Sequence, residues 1–300
     1  MVSTQKERAS LGGIFAALPT AFGRGGELDP DALRRLIVSL MSRGVEGFYV
    51  GGSTGECFLL SERERMESLE TVLGTVGGRV PVAAHVGSLS TEGAVALAKH
   101  AAKAGVAAVS ATPPLYFSYE LDEILGYYQD IVQACGLPLL VYNIPAFSGR
   151  NFGIQGLTKL LNIPGVVGLK HTSMNLHELE RIRTGFPQKI IFSGYDEVFV
   201  AASALGADGM IGSTVNLMPE LFIAMRKHIR EGNIAEARKI QHRVNSVIEC
   251  LADGSFFPAL KYALDRAGFP CGECRRPFQP ISEQRKTAIV SRLADFGIAQ

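Results

Sequence analysis

Eight short apolar segments rich in β-branched residues recur along the chain, each followed by a stretch of helical period, and this alternation narrows the possible folds more than any other feature. The strand-like segments fall at 14–22, 47–52, 80–87, 107–113, 138–145, 166–172, 189–194 and 208–214. Most are near-continuous apolar runs, the pattern of parallel strands covered on both faces. Helices are expected at 30–43, 62–76, 92–104, 120–135, 154–161, 175–185, 196–206 and 217–231. Asp29-Pro30 opens the first, Ser61 with Glu64 forms a capping box for the second, and Ser90-Thr91 precede the third. Gly44, Gly105 and Gly206 stand just past helix ends, where a left-handed cap favours glycine. Beyond residue 232 only helical period remains, with candidates at 233–252, 256–267 and 282–295. The sum is a TIM (β/α)8 barrel over 1–232 with a C-terminal helical extension over 233–300, packed as one structural domain. A doubly wound open sheet should bring a dinucleotide fingerprint or P-loop after its first strand, and the LPTAFGRGG that begins at Leu18 fits neither.

Composition excludes several partner classes. With 300 residues, 47% apolar, the chain can bury a large core, and a net charge of +1 supplies no field for nucleic acid or an anionic membrane. No apolar run approaches the roughly 18 residues of a membrane span. The first ten residues mix charged and polar groups with no apolar stretch behind them, so no secretory signal is expected. Five cysteines without a disulfide-like framework suit a reducing cytoplasm. Cys271 and Cys274 form one CxxC, but no second CxxC or spaced His pair completes a tetrahedral metal site, and a reduced loop is expected there.

Barrel chemistry sits where strands end, and seven of the eight expected strands end in polar side chains. Lys170 is the sharpest signal, interrupting the apolar Val166-Val167-Gly168-Leu169. Two-residue alternation puts it on one face with Gly168 and Thr172, and Leu169 and His171 on the other. If the first face is the barrel interior, desolvation favours the neutral amine that imine chemistry requires; a lysine snorkelling from the strand end to water fits the same residue. Tyr142 ends the neighbouring strand, as a proton-transfer phenol or a core tyrosine. The turn Gly51-Gly52-Ser53-Thr54-Gly55-Glu56 offers amides and two hydroxyls to a carboxylate-sized anion, or is simply a tight βα turn. Asp196 and Glu197 could accept polyol hydroxyls, although acidic residues at a helix start need no further explanation. His85 reads as a packed histidine or one supporting the site from behind, and His171 as structural.

Together Gly51–Glu56, Ala84-His85-Val86-Gly87, Val141-Tyr142-Asn143-Ile144-Pro145, Leu169-Lys170-His171-Thr172-Ser173, Gly194-Tyr195-Asp196-Glu197 and Gly212-Ser213-Thr214 resemble the N-acetylneuraminate lyases. These belong to the wider family of pyruvate-dependent lyases and synthases that includes dihydrodipicolinate synthase. The resemblance runs in order from about residue 11 to Arg276-Pro277-Phe278. It implies a (β/α)8 barrel, a homotetramer, a small-molecule 2-oxo acid or sialic acid substrate, no metal and no dissociable cofactor. By position, Lys170 is similar to the Schiff-base lysine, Tyr142 to the proton-transfer tyrosine, and Ser53 and Thr54 to the carboxylate-binding pair. Thr172, Gly194, Asp196, Glu197 and Ser213 match contacts to the sugar-derived part of the substrate. Tyr116 resembles the tyrosine that reaches a neighbouring subunit's site, completing a relay with Ser53 and Tyr142.

The implied activity is an aldolase-type cleavage of N-acetylneuraminate, with dihydrodipicolinate synthase or a 2-oxo-3-deoxy sugar acid aldolase as the alternative. The synthases typically carry arginine where this chain has Phe147, and a second substrate carboxylate would lack that partner. Leu115, Ala21, His171, Met210 and Val215 depart from the family's usual tyrosine, proline, glutamine, glycine and tyrosine. None is among the residues matched to imine chemistry.

Overall fold

The computed structural model describes residues 11–298; the N-terminal decapeptide and the last two residues lie outside them. Eight parallel strands close a barrel in sequence order: β1 (Ile14–Ala17), β2 (Gly47–Val50), β3 (Val82–His85), β4 (Ala108–Ala111), β5 (Leu139–Asn143), β6 (Val166–His171), β7 (Ile190–Ser193) and β8 (Gly209–Gly212). Around them run α1 (Pro30–Ser42), α2 (Glu62–Val76), α3 (Thr91–Ala104), α4 (Leu121–Cys135), the single turn α5 (Pro145–Ser148), α6 (Gly153–Leu161), α7 (Leu176–Gly185), α8 (Phe199–Ala204) and α9 (Pro219–Arg230). The C-terminal helices are α10 (Ile234–Ala252), α11 (Phe256–Arg266) and α12 (Glu283–Ala294).

Local chemistry sets the boundaries. Asp29 accepts the Ala32 amide at 2.9 Å with Pro30 opening α1, and the Ser61–Glu64 capping box starts α2. Gly44 and Gly105 end α1 and α3 at φ 87, a conformation that other residues adopt only with strain.

Every expected strand is present, but most are shorter than their apolar runs. The run 14–22 pairs only to Ala17; past it, Asp29 N–H donates to Ala21 O at 2.9 Å and the chain doubles back on itself. Apolar content there records burial of a rim loop, not a sheet ladder. The expected helix 196–206 is a 3-10 turn (Asp196–Val198) followed by the short α8, and side chains of α10 hold the carbonyls of Asp196 and Glu197 while the Thr214 amide after β8 donates to Asp196 Oδ2. Pro145 starts α5, a turn that sequence periodicity did not reveal.

Alternate residues fill two cores. Side chains facing the helices join one large cluster with the helices' apolar stripes, while Phe15, Tyr49, Leu140, Tyr142, Ile190 and Phe192 are among those packed inside the barrel. Gly47 leaves the space that the Phe15 ring occupies, since a Cβ there would lie 2.4 Å from it. Each such buried ring or aliphatic side chain is worth about 1.5–3 kcal/mol, so the barrel supports a few polar residues at its mouth without losing its shape. Among the described residues no helix is long and apolar enough to cross a membrane.

Candidate active site

Lys170 lies inside the barrel. Its strand pairs in register with both neighbours, Tyr142↔Lys170↔Phe192, so these three side chains project to the same interior. Lys170 is 4% exposed, and its Nζ sits 3.9 Å from the centroid of the Tyr142 ring and 4.4 Å from that of Tyr49. The snorkelling alternative does not describe this lysine. Gly168 is required just below it, where a Cβ would fall 2.1 Å from the Ile190 carbonyl oxygen.

The phenol of Tyr142 is 3.4 Å from Ser53 Oγ, at the long end of a hydrogen bond. Ser53 and Thr54 begin a 3-10 turn after β2, and its leading amides have no acceptor within that turn. Thr54 Oγ1 lies 2.7 Å from Ser213 Oγ, so Ser213 borders the β2 turn. Thr20 Oγ1 donates to Gly55 O at 2.7 Å and anchors the turn from β1's side.

The opposite rim is built on β6, β7 and β8. Thr172 Oγ1 is buried with no hydrogen-bond partner among the described residues, and a Cβ on Gly194 would lie 1.8 Å from it. Glycine at 194 is what leaves that hydroxyl its place. Asp196 is also buried; its Oδ2 accepts the Thr214 amide at 2.7 Å and the Thr214 hydroxyl. Burial pushes its carboxyl up to about 7, the Thr214 hydrogen bonds opposing and Glu197 adding to the rise. Burial raises Glu197 as well.

Two histidines take the roles expected of them. Thr112 N–H donates to His85 Nε2 at 3.2 Å, which leaves Nδ1–H to donate to Gly51 O at 2.9 Å. Burial, with the Arg65 and Lys170 charges, holds this imidazole neutral, well below the usual histidine range. His171 faces outward, 3.1 Å from Asn143 Nδ2 through its Nδ1, and burial lowers it to about 4.

Tyr116 stands apart from this group. It is 90% exposed at φ 80 and stacks edge-on against Phe117 at 4.9 Å. In the described chain it belongs to the surface and does not join the Ser53–Tyr142 group.

Several residues that shape the site carry no sequence signal of their own. Tyr49 supplies the second ring beside Lys170, its hydroxyl 3.0 Å from Ser110 Oγ. Arg65 of α2 donates to Gly87 O at 2.9 Å and His85 O at 2.8 Å, pinning the end of β3. Gln241 and Asn245 of α10 hold the β7 turn through Asp196 O at 2.9 Å and Glu197 O at 3.1 Å. Among the described residues no cluster of three or more His, Cys, Asp or Glu could hold a metal, and Cys271 and Cys274 are free thiols.

Similarity to known proteins extends over nearly the whole chain. The family model described as the dihydrodipicolinate synthetase family matches residues 10–295. An N-acetylneuraminate lyase of Rhizobium meliloti is 40% identical over 95% of this chain and 95% of its own, and one of Enterobacter sp. is 42% identical over 91% and 93%. CdNal from Clostridium difficile, solved in complex with mannosamine, superposes with a TM-score of 0.92 at 32% identity, covering 95% of this chain and 99% of that one. A buried lysine on the sixth strand, a tyrosine beside it on the fifth and a match that spans barrel and extension alike leave one assignment: the chain belongs to the dihydrodipicolinate synthetase family.

Proposed function

We propose that this protein is an N-acetylneuraminate lyase, a class I aldolase that cleaves N-acetylneuraminate to N-acetylmannosamine and pyruvate through a Schiff base on Lys170. The observation that carries the reading is the position of that amine, 3.9 Å from the Tyr142 ring at the floor of a polar barrel mouth. Relatives bearing the lyase name at about two-fifths identity support the same substrate.

In this mechanism the Lys170 amine attacks the C2 ketone of the open-chain sugar acid and water leaves, giving a protonated imine. The Tyr142 oxygen takes the C4 hydroxyl proton as the C3–C4 bond breaks. The bonding electrons move into the C3–C2 enamine, with the imine nitrogen as their sink. N-acetylmannosamine departs as the aldehyde, C3 takes up a proton, and hydrolysis of the imine releases pyruvate and the free amine. No dissociable cofactor or metal enters this scheme.

Ser53 and Thr54 would bind the carboxylate, and Thr172, Gly194, Asp196, Glu197 and Ser213 the polyol chain. The orphaned Thr172 hydroxyl beside Gly194 supports the second assignment, because a buried hydroxyl without a partner invites a ligand's. Tyr116 would enter a neighbouring subunit's site in a cytoplasmic homotetramer. Its exposed pairing with Phe117 supports this, since adjoining exposed aromatics favour contact with another surface. The synthase alternative is disfavoured at Phe147, an exposed apolar residue where a dicarboxylate substrate would need a cation.

The test pairs chemistry with specificity. Borohydride reduction in the presence of pyruvate should leave its adduct on Lys170, and cleavage of N-acetylneuraminate should outrun turnover of aspartate semialdehyde or 2-oxo-3-deoxygluconate. An unmodified Lys170 would end the Schiff-base reading; preference for another substrate would end the lyase assignment alone.

A further inference from the structure

Glu56 closes the β2 turn, and its surroundings are unusual for a carboxylate at a barrel rim. Its backbone is left-handed at φ 56, a conformation that disfavours side chains with a Cβ. Its side chain is fully buried and faces the equally buried Lys261 of α11, with Nζ 2.7 Å from Oε1. The nitrogen lies off the direction of a hydrogen bond, so the contact is chiefly coulombic. Oε2 accepts the Arg275 amide at 2.8 Å. Lys261 also donates to Glu273 O at 3.2 Å and stands 4.2 Å from the Phe22 ring centroid. The Arg275 guanidinium donates to Leu59 O at 3.0 Å and Gly26 O at 2.9 Å. The C-terminal extension thus meets the β2 turn at one inward-facing acid, Glu56, while the Arg275 guanidinium also pairs with Glu64 in the first turn of α2.

A buried ion pair is a poor source of net stability, because desolvating two charges offsets most of their attraction. What such a pair supplies is a fixed geometry. Here the geometry passes directly to the candidate carboxylate pocket: Glu56 N–H donates to Ser53 O at 3.0 Å and Gly55 N–H to Gly52 O at 3.0 Å, so the turn from Ser53 to Glu56 moves as a unit. Anchoring Glu56 sets where the Ser53 and Thr54 hydroxyls point.

We propose that Glu56 and Lys261 are a positioning pair for 2-oxo acid binding, through which the C-terminal extension sets the carboxylate-binding hydroxyls of Ser53 and Thr54. The proposal rests on the Schiff-base reading above. Neither residue touches substrate. Because a carboxylate contact is made in substrate, intermediate and product alike, loosening the turn weakens binding more than it slows the chemical step.

The experiment titrates pyruvate against borohydride trapping on Lys170, read by intact mass, with kcat and KM for N-acetylneuraminate measured beside it. In a double variant Glu56→Gly is combined with Lys261→Met, which frees the backbone conformation and leaves no buried charge unpaired. It should raise half-saturating pyruvate by on the order of tenfold with a smaller change in kcat, and still form the full adduct at saturation. Glu56→Gln alone, which keeps an acceptor for the Arg275 amide, should shift half-saturation by only about threefold. A folded double variant that titrates like wild type overturns the proposal. Should the double variant fail to fold, an unshifted Glu56→Gln overturns it equally. Absence of any adduct in wild-type protein would instead refute the Schiff-base reading and this proposal with it.

Discussion

Replacing Asp196 by Asn should make the protein more stable at neutral pH and less active. Burial carries this carboxyl from an ordinary 3.8 to about 7, a rise of about three units. At about 1.4 kcal/mol per unit, ionising it inside the fold costs at most about 4 kcal/mol relative to the unfolded chain. The sign follows from the raised folded value. Below pH 3.8 both states are protonated and the fold carries no penalty; as pH climbs toward about 7 the unfolded chain ionises first, and stability falls until the folded carboxyl ionises too. Asparagine never ionises. Its carbonyl oxygen can still accept the Thr214 amide and hydroxyl that now meet Asp196 Oδ2. Urea denaturation of both proteins at one protein concentration, from pH 4 to pH 8, should show the variant's advantage opening between those limits and levelling off above about pH 7. Lyase rates should drop in the same variant, the cost of removing a carboxylate held for substrate. Parallel pH–stability curves for the two proteins would refute the reasoning, because they would mean that Asp196 ionises as easily folded as unfolded.

Lys170→Met should retain the barrel's circular dichroism, yield no borohydride adduct with pyruvate and lose at least about 10⁴-fold in cleavage rate; turnover near the wild-type rate would exclude this lysine. Gly194→Ala places a Cβ 1.8 Å from Thr172 Oγ1, so it should raise KM for N-acetylneuraminate while pyruvate trapping on Lys170 continues; a simultaneous loss of trapping would argue against separate subsites. Co-expressed Tyr116→Phe and Lys170→Met chains should be more active together than either alone, since an intact lysine would meet an intact tyrosine wherever the two kinds of chain adjoin. No gain on mixing would place Tyr116 outside its neighbour's site.

The barrel was legible because each strand is buried on both faces, which stamps a continuous apolar run on the sequence. The same burial blurred the strand ends: Leu18–Phe22 is as buried as the strand before it and largely apolar, yet makes rim loop rather than sheet. Lys170 was legible for the opposite reason. A cation inside an apolar strand conflicts with every local preference, and such conflicts concentrate at functional positions. Alternation placed it on the face shared with Gly168, and register with Tyr142 and Phe192 identifies that face as the interior.

Alternation says inside or outside; it does not say which of the other seven strands a side chain will meet. Nothing in the alternation of 47–52 therefore singles out Tyr49, although its ring lies 4.4 Å from the Lys170 amine. The residues that hold the rim were hidden more deeply. Lys261 sits in a helix far along the chain, where helical period gives a lysine no partner, while its partner Glu56 is only the polar end of the Gly51–Glu56 turn. Gln241 and Asn245 occupy ordinary positions of a long helix. Their partners are nonetheless the β2 turn in one case and the β7 turn in the other, the two rim segments to which the proposed mechanism assigns the carboxylate and the polyol ends of the substrate. A helical appendix that only covered apolar barrel surface would need no buried polar contacts to do so, since desolvating them gains little. That it makes them at both of these turns is a physical reason to treat the extension as part of the site, which fixes the distance between the two ends of whatever the barrel binds.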